Sequence, residues 1–169
     1  KMTFKELGER VEKVKQLLVG AGSKEGDKVA LYSSSHSNWA VCYMATVSAG
    51  MVIVPILPDF SEVELEKILE HSEAKALCVS DKLYTKVSKE RVAKSNIVIR
   101  TKNLSVLAQN VTEQGSMAEP KPEDLAAIIY TSGTTSSPKG VMHTHQSLCS
   151  QLHLLQNLYP IHRDDVWLS

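Results

Sequence analysis

Residues 26–56 read GDKVALYSSSHSNWAVCYMATVSAGMVIVPI, and this stretch decides the fold. The run 27–33 (DKVALYS) is short, apolar and bounded by polar residues, which predicts a strand. Residues 38–49 are Ala-rich and contain neither Gly nor Pro, so a helix is expected there. Gly50 stops it, and Met51-Val52-Ile53-Val54 is a β-branched run ending at Pro55, a second strand. Between Ser33 and Pro58 there is no Asp, Glu, Lys or Arg, a length that would suffice to cross a bilayer. The change of character at Gly50 favours a buried helix followed by a buried strand.

The same rhythm continues in both directions. Upstream, Thr3-Phe4-Lys5-Glu6 is a capping box. Leu7, Val11, Val14, Leu17 and Leu18 then keep helical spacing until Gly20 and Gly22. Downstream, Ser61-Glu62-Val63-Glu64 is a second capping box, followed by Leu65, Ile68 and Leu69. The run 75–79 (KALCV) reads as a third strand. Asp81 is expected to cap a weaker helix through about Ala93, and 97–99 (IVI) is a fourth strand. Strands alternating with helices are the pattern of βαβ units. Their continuous apolar character predicts burial on both faces. The expected fold is α/β: a mostly parallel sheet with helices on both faces and right-handed crossovers.

Residues 101–124 are polar, with Gly115, Pro120 and Pro122, and are read as a connecting segment. The run 125–130 (LAAIIY) is another buried strand, 131–138 a polar loop, and 140–142 an extended segment. A helix begins near His145 and carries Leu148, Leu152, Leu155 and Leu158. Val166-Trp167-Leu168 resembles the start of a further strand. The organisation expected is therefore a βαβ part over 1–100, a connector over 101–124, and a hairpin with its following helix over 125–169.

The chain has 169 residues, 43% hydrophobic and 22% charged, an ordinary globular composition. Nineteen basic and nineteen acidic residues cancel, which argues against a nucleic-acid partner. Cys42, Cys78 and Cys149 form no zinc spacing and are read as free thiols of a reducing, cytoplasmic compartment. No transmembrane segment is expected.

The chemistry-bearing segment is Tyr130-Thr131-Ser132-Gly133-Thr134-Thr135-Ser136-Ser137-Pro138-Lys139-Gly140. Six hydroxyl side chains surround one glycine, and a proline and a lysine close the loop. Such a loop suits a polyphosphate: backbone N–H groups and hydroxyls donate to phosphate oxygens, Gly133 permits close approach, and Lys139 adds a full charge. The bland alternative is a flexible Ser/Thr surface hairpin. Against it, a buried strand runs straight into the loop and Pro138-Lys139-Gly140 fixes the exit. The loop is not a Walker loop, because Pro138 and Gly140 stand where glycine and Ser/Thr are required. It is not a GxGxxG dinucleotide loop either.

TSGTTSSPKG, preceded by DLAAIIY and followed by VMHTH, resembles the phosphate-binding signature of the adenylate-forming (AMP-binding) superfamily. That superfamily includes acyl-CoA synthetases, aryl-CoA ligases, luciferases and peptide-synthetase adenylation domains. TFKELGERVEKVKQLL, the stretch from GDKVALY to VIVPI, SEVELEKILEHSEAKALCVSD and DDVWLS are similar to further parts of it. The resemblance covers the whole chain and implies part of the family's large N-terminal domain. It implies a ligase that uses Mg²⁺ and ATP to activate a carboxylic acid as an acyl-adenylate, then transfers it to a thiol, coenzyme A or a carrier protein. By position it implies Thr131, Ser132, Gly133, Thr134, Thr135 and Lys139 as nucleotide contacts, with Lys139 also catalytic. No residue of this chain is implied as a metal ligand. Ser136 departs from the family's usual glycine, which would strain a position needing positive φ. The family's later motifs have no counterpart before Ser169, so the chain alone is expected to be inactive. An amino-acid-activating adenylation domain and a non-catalytic binding module of the same fold remain the alternatives.

Other constellations carry less. His143, His145 and His153 lack an indicated third metal ligand in space, and His145 is expected to cap a helix or face substrate. Asp164-Asp165 is read as a solvated turn. Glu62, Glu64, Glu66 and Glu70 are expected as a solvated acidic face, and Trp39 and Met44 as core.

Overall fold

The computed structural model describes residues 2–111, 113–131, 139–159 and 162. Helix α1 (Phe4–Gly20) starts at the Thr3/Glu6 capping box, with Thr3 Oγ1 accepting from the Glu6 amide at 3.2 Å. The Glu6 carboxylate accepts in return from the Thr3 amide at 2.7 Å, and that bond holds its pKa below the usual value. Strand β1 (Lys28–Tyr32), helix α2 (Ser37–Ser48) and strand β2 (Val52–Ile56) follow as expected. Helix α3 (Glu62–His71) opens with the second capping box, on Ser61 and Glu64. Strand β3 is Ala76–Val79 and β4 is Ile97–Arg100.

Between them the single helix expected from Asp81 is two short ones, α4 (Asp81–Tyr84) and α5 (Lys89–Lys94). Ser80, not Asp81, is the N-cap of α4, and Asp81 lies inside its first turn. Ser88 caps α5 with its hydroxyl, which restarts the helix after the break.

The segment 101–124 also differs from expectation. It contains β5 (Ser105–Gln109), which pairs antiparallel with β4. Its apolar run is only Val106-Leu107-Ala108, flanked by polar residues on both sides, a short and weak strand signal. Beyond it, Gly115 N donates to Val19 O at 2.7 Å and Ser116 N to Ser23 O at 3.1 Å. The segment is bonded to the end of α1 rather than running free.

Strands β6 (Leu125–Thr131) and β7 (Lys139–Thr144) and helix α6 (His145–Leu158) complete the described elements. The seven strands form one sheet in the order β5-β4-β3-β1-β2-β6-β7. The inner five run parallel, and β5 and β7 are antiparallel edges. Alternate side chains of the inner strands feed two cores. Val29, Leu31, Ile53, Cys78 and Ile99 pack with Val14 and Leu18 of α1 and Val41 and Ala45 of α2. Ala30, Tyr32, Val54, Leu77 and Val98 pack with Leu65, Ile68 and Leu69 of α3. Helices thus cover both faces.

Burial on both faces holds for β1 to β4 but not for the β6–β7 hairpin, where Ile129, Val141 and Met142 are exposed. Met44 is exposed as well, contrary to expectation, because it lies on the outer side of α2. Trp39 is partly buried against the α1–α2 core and stacks on Tyr43 with ring centroids 5.4 Å apart. Glu66 is not merely solvated: its carboxylate accepts from Arg91 Nη2 at 2.8 Å and Nε at 3.1 Å, tying α3 to α5. Among the described residues no helix is long and apolar enough to cross a membrane, and the uncharged stretch 33–58 is divided between α2 and β2.

Candidate active site

Strand β6 joins the parallel sheet through Ile53↔Ala127, which directs its carboxyl end to the same edge as those of β1 to β4. At that edge the chain leaves at Thr131 and returns at Lys139. These two residues are partners in the antiparallel ladder, followed by Tyr130↔Gly140 and Ile129↔Val141. The hairpin therefore closes directly under the loop. Ser132, Gly133, Thr134, Thr135 and Ser136 lie outside the described residues. The structure brings together Thr131 and Lys139, both exposed at the mouth. Among the described residues Lys139 has no ion-pair partner, so its charge is uncompensated there.

The base of the hairpin is built around Tyr130. Its Oη lies 2.7 Å from His71 Nδ1, at the C-terminus of α3, and the two rings meet edge to face. Burial pushes the Tyr130 phenol above its usual pKa, so the group stays a neutral hydrogen-bonding anchor. Opposite it, Gly140 leaves room for this ring. A Cβ there would come 2.7 Å from Ile128 Cγ2 and 3.2 Å from Tyr130 Cζ. The sequence reading quoted Tyr130 without a role and did not single out His71. Their link spans 59 residues, and only the β2–β6 pairing brings α3 under the hairpin.

The other end of β7 is occupied. Thr144, not His145, caps α6, accepting from the Ser147 amide at 3.2 Å. His145 N donates to Asp124 O and Gln146 N to Pro122 O. All three first-turn amides of α6 are thus engaged, which leaves that terminus no donors for an anion. The His145 ring packs inward, its Nε2 buried without a partner among the described residues. Among the described residues no group of three His, Cys, Asp or Glu gathers for a metal. Asp164 and Asp165 lie outside the described residues. The three cysteines are free thiols. A hydrogen bond with Cys42, and burial, push the Cys78 thiol well above its usual range, which removes it as a thiolate nucleophile.

A family model described as "AMP-binding enzyme" matches residues 1–169. The indigoidine synthase of Streptomyces lavendulae is 30% identical over 169 residues, covering 100% of this chain and 13% of that protein. A chloroplastic long-chain-fatty-acid–[acyl-carrier-protein] ligase of Arabidopsis thaliana is 28% identical, over 100% of this chain and 28% of that protein. The solved ATP-bound MatB of Rhodopseudomonas palustris superposes with a TM-score of 0.80 at 27% identity, over 98% of this chain and 34% of that one. The chain therefore spans only a fraction of the length of the proteins it matches.

Proposed function

Because the chain belongs to the AMP-binding enzyme family, we propose that the protein it represents is an adenylate-forming ligase. It activates a carboxylic acid with ATP and passes the acyl group to a thiol, with coenzyme A as the acceptor. A carboxylate oxygen attacks the α-phosphorus, the bond to the β-phosphate breaks, and pyrophosphate leaves. The thiol sulfur then attacks the acyl carbon, and AMP departs with the electron pair of the broken C–O bond.

The observation that carries this reading is the hairpin mouth, where Thr131 and Lys139 are ladder partners at the carboxyl edge of a parallel sheet. In this reading Thr131, Ser132, Gly133, Thr134 and Thr135 donate to the β- and γ-phosphates. Lys139 supplies a compact charge to the oxygens on which charge develops. The Tyr130–His71 anchor keeps the loop's entrance in place, and positioning of this kind is most of what a protein contributes to phosphoryl and nucleotidyl chemistry. Magnesium, when bound, would neutralise the triphosphate; no residue of this chain is assigned to it.

A second reading keeps the first half-reaction and changes the acid and acceptor: an amino acid transferred to a carrier-protein thiol. The acyl-carrier-protein ligase among the relatives favours the carrier-protein acceptor, although the acid in its name is a long-chain fatty acid. Exchange of labelled pyrophosphate into ATP by the intact protein tests the common step. Lys139→Ala should lower that exchange roughly 10²–10³-fold, the usual cost of removing one transition-state donor, without shifting the melting temperature. Undiminished exchange would overturn the role of Lys139. Exchange driven by fatty or aryl acids, with thioester formed on coenzyme A, supports the first reading. Exchange driven by amino acids supports the second.

A further inference from the structure

We propose a second ligand site, for the phosphate monoester of a small organic molecule, in the cavity at the carboxyl ends of β1, β3 and β4. The chain runs from β1 to β2 on one side and then crosses to place β3 on the other side of β1. The loops leaving β1 and β3 diverge at that switch point, and open α/β sheets bind ligands in the crevice so formed. Here the crevice is a cavity of about 440 Å³, open to solvent. The hairpin loop follows β6, two strands away from β1, so this is a different place from the proposed ATP site.

Its walls are held rigidly. Ser33 Oγ, His36 Nε2 and Thr101 Oγ1 lie 3.0–3.2 Å from one another, joining the β1 loop to the end of β4. Asn38 Nδ2 donates to Thr101 O at 2.8 Å and Lys102 O at 3.0 Å, and Arg10 Nη1 donates to Asn38 Oδ1. His36 Nδ1 accepts from the Asn38 amide, so the neutral ring carries its proton on Nε2 and acts as a donor. This rules out a Ser–His nucleophile pair, which needs a free acceptor at that nitrogen.

The charge on the walls is positive. Lys82 and Lys102 line the cavity, and among the described residues neither has an ion-pair partner. Among the described residues the one carboxylate on the wall, Asp81, is paired with Arg100 Nε at 3.0 Å. Ser34 adds an exposed hydroxyl, whereas Thr101 is fully buried with its hydroxyl held by Ser33 and His36, and Ser80 Oγ is buried in the wall. Two uncompensated ammonium groups and the Ser34 hydroxyl match a dianionic phosphate. A cavity of this volume is of ligand size and has space for an organic group beyond the phosphate.

Calorimetric titration of the intact protein with glycerol 3-phosphate, and separately with inorganic phosphate, tests this. Glycerol 3-phosphate should bind wild type and Lys139→Ala alike. It should bind Lys82→Gln/Lys102→Gln roughly tenfold more weakly, as expected for the loss of two partly exposed charge contacts. Pyrophosphate exchange should be unchanged in the double variant, which keeps this proposal separate from the ligase reading. Ser34→Ala, which keeps the charge and the fold, should weaken binding a few-fold if the double variant melts early. Equal affinity in wild type and both cavity variants would overturn the site. So would no binding at millimolar concentration, or loss confined to Lys139→Ala. Inorganic phosphate binding as tightly as the monoester would overturn the ligand class.

Discussion

Gly115→Ala should be among the most damaging single-methyl additions in this chain. A Cβ at Gly115 would lie 1.9 Å from Ser23 O, well inside the 3.4 Å at which ordinary contact begins. Gly22 C and Ser23 C would follow at 2.8 Å. All three obstacles are backbone, so no rotamer change relieves them. The segment must withdraw by more than 1 Å, which breaks the Gly115 N–Val19 O bond of 2.7 Å and the Ser116 N–Ser23 O bond of 3.1 Å. At about 1 kcal/mol net for each bond, with the repacking cost of an overfilled site added, the loss is roughly 2–4 kcal/mol. Gly8→Ala is the internal control. It adds the same methyl within α1, where nothing lies within 4 Å, and should stabilise by up to about 1 kcal/mol through helix propensity. Thermal melting of the two variants of the intact protein, with hydrogen exchange at residues 113–118, measures both effects. A Gly115→Ala variant within about 0.5 kcal/mol of wild type, with exchange at these amides unchanged, would refute the claim that this segment is bonded in place.

Three further outcomes follow from the same contacts. Asn38→Ala removes two donors to the Thr101 and Lys102 carbonyls and the acceptor for Arg10, and should cost about 3 kcal/mol in a melting or denaturant experiment. Gly140→Ala should displace the Tyr130 ring, changing Tyr130 fluorescence or ring-proton shifts while global stability falls by about 1–3 kcal/mol, and under the proposed ligase reading it should also raise KM for ATP. Ser61→Ala should flatten the acid limb of the stability curve. The Ser61 hydroxyl and then its amide hold the Glu64 pKa below the usual value, so this carboxylate contributes stability above the unfolded pKa and loses it as pH falls through the folded one. Melting temperatures of wild type and variant should therefore converge as pH drops through the carboxylate range.

How much of this was readable in advance depends on the range of the interaction that decides each feature. Both capping boxes, the strand–helix–strand unit of residues 26–56 and the parallel sheet follow from local chemistry: a hydroxyl three residues before a glutamate, a β-branched run after glycine, uncharged strands that must be covered on both faces. The reading of the loop 131–139 rests on the same kind of local signal, since its hydroxyls, glycine and lysine are consecutive. The break between α4 and α5 was not, because it turns on which of several serines caps, and Ser88 does so with no stronger local signal than its neighbours.

Edge and hairpin exposure followed from pairing order. β5 is a strand because β4 offers it an open edge, and Ile129 and Val141 are exposed among the described residues. The Tyr130–His71 anchor and the cluster of Ser33, His36, Asn38 and Thr101 join residues 59 to 68 positions apart. No periodicity encodes such contacts. The chain's residue types and short-range spacing thus settled most of the helices and the inner strands, and they are the basis of the phosphate-loop reading. Only the order of strands in the sheet decided which loops share the carboxyl edge, because side chains distant in sequence meet only once backbone pairing has placed their strands side by side.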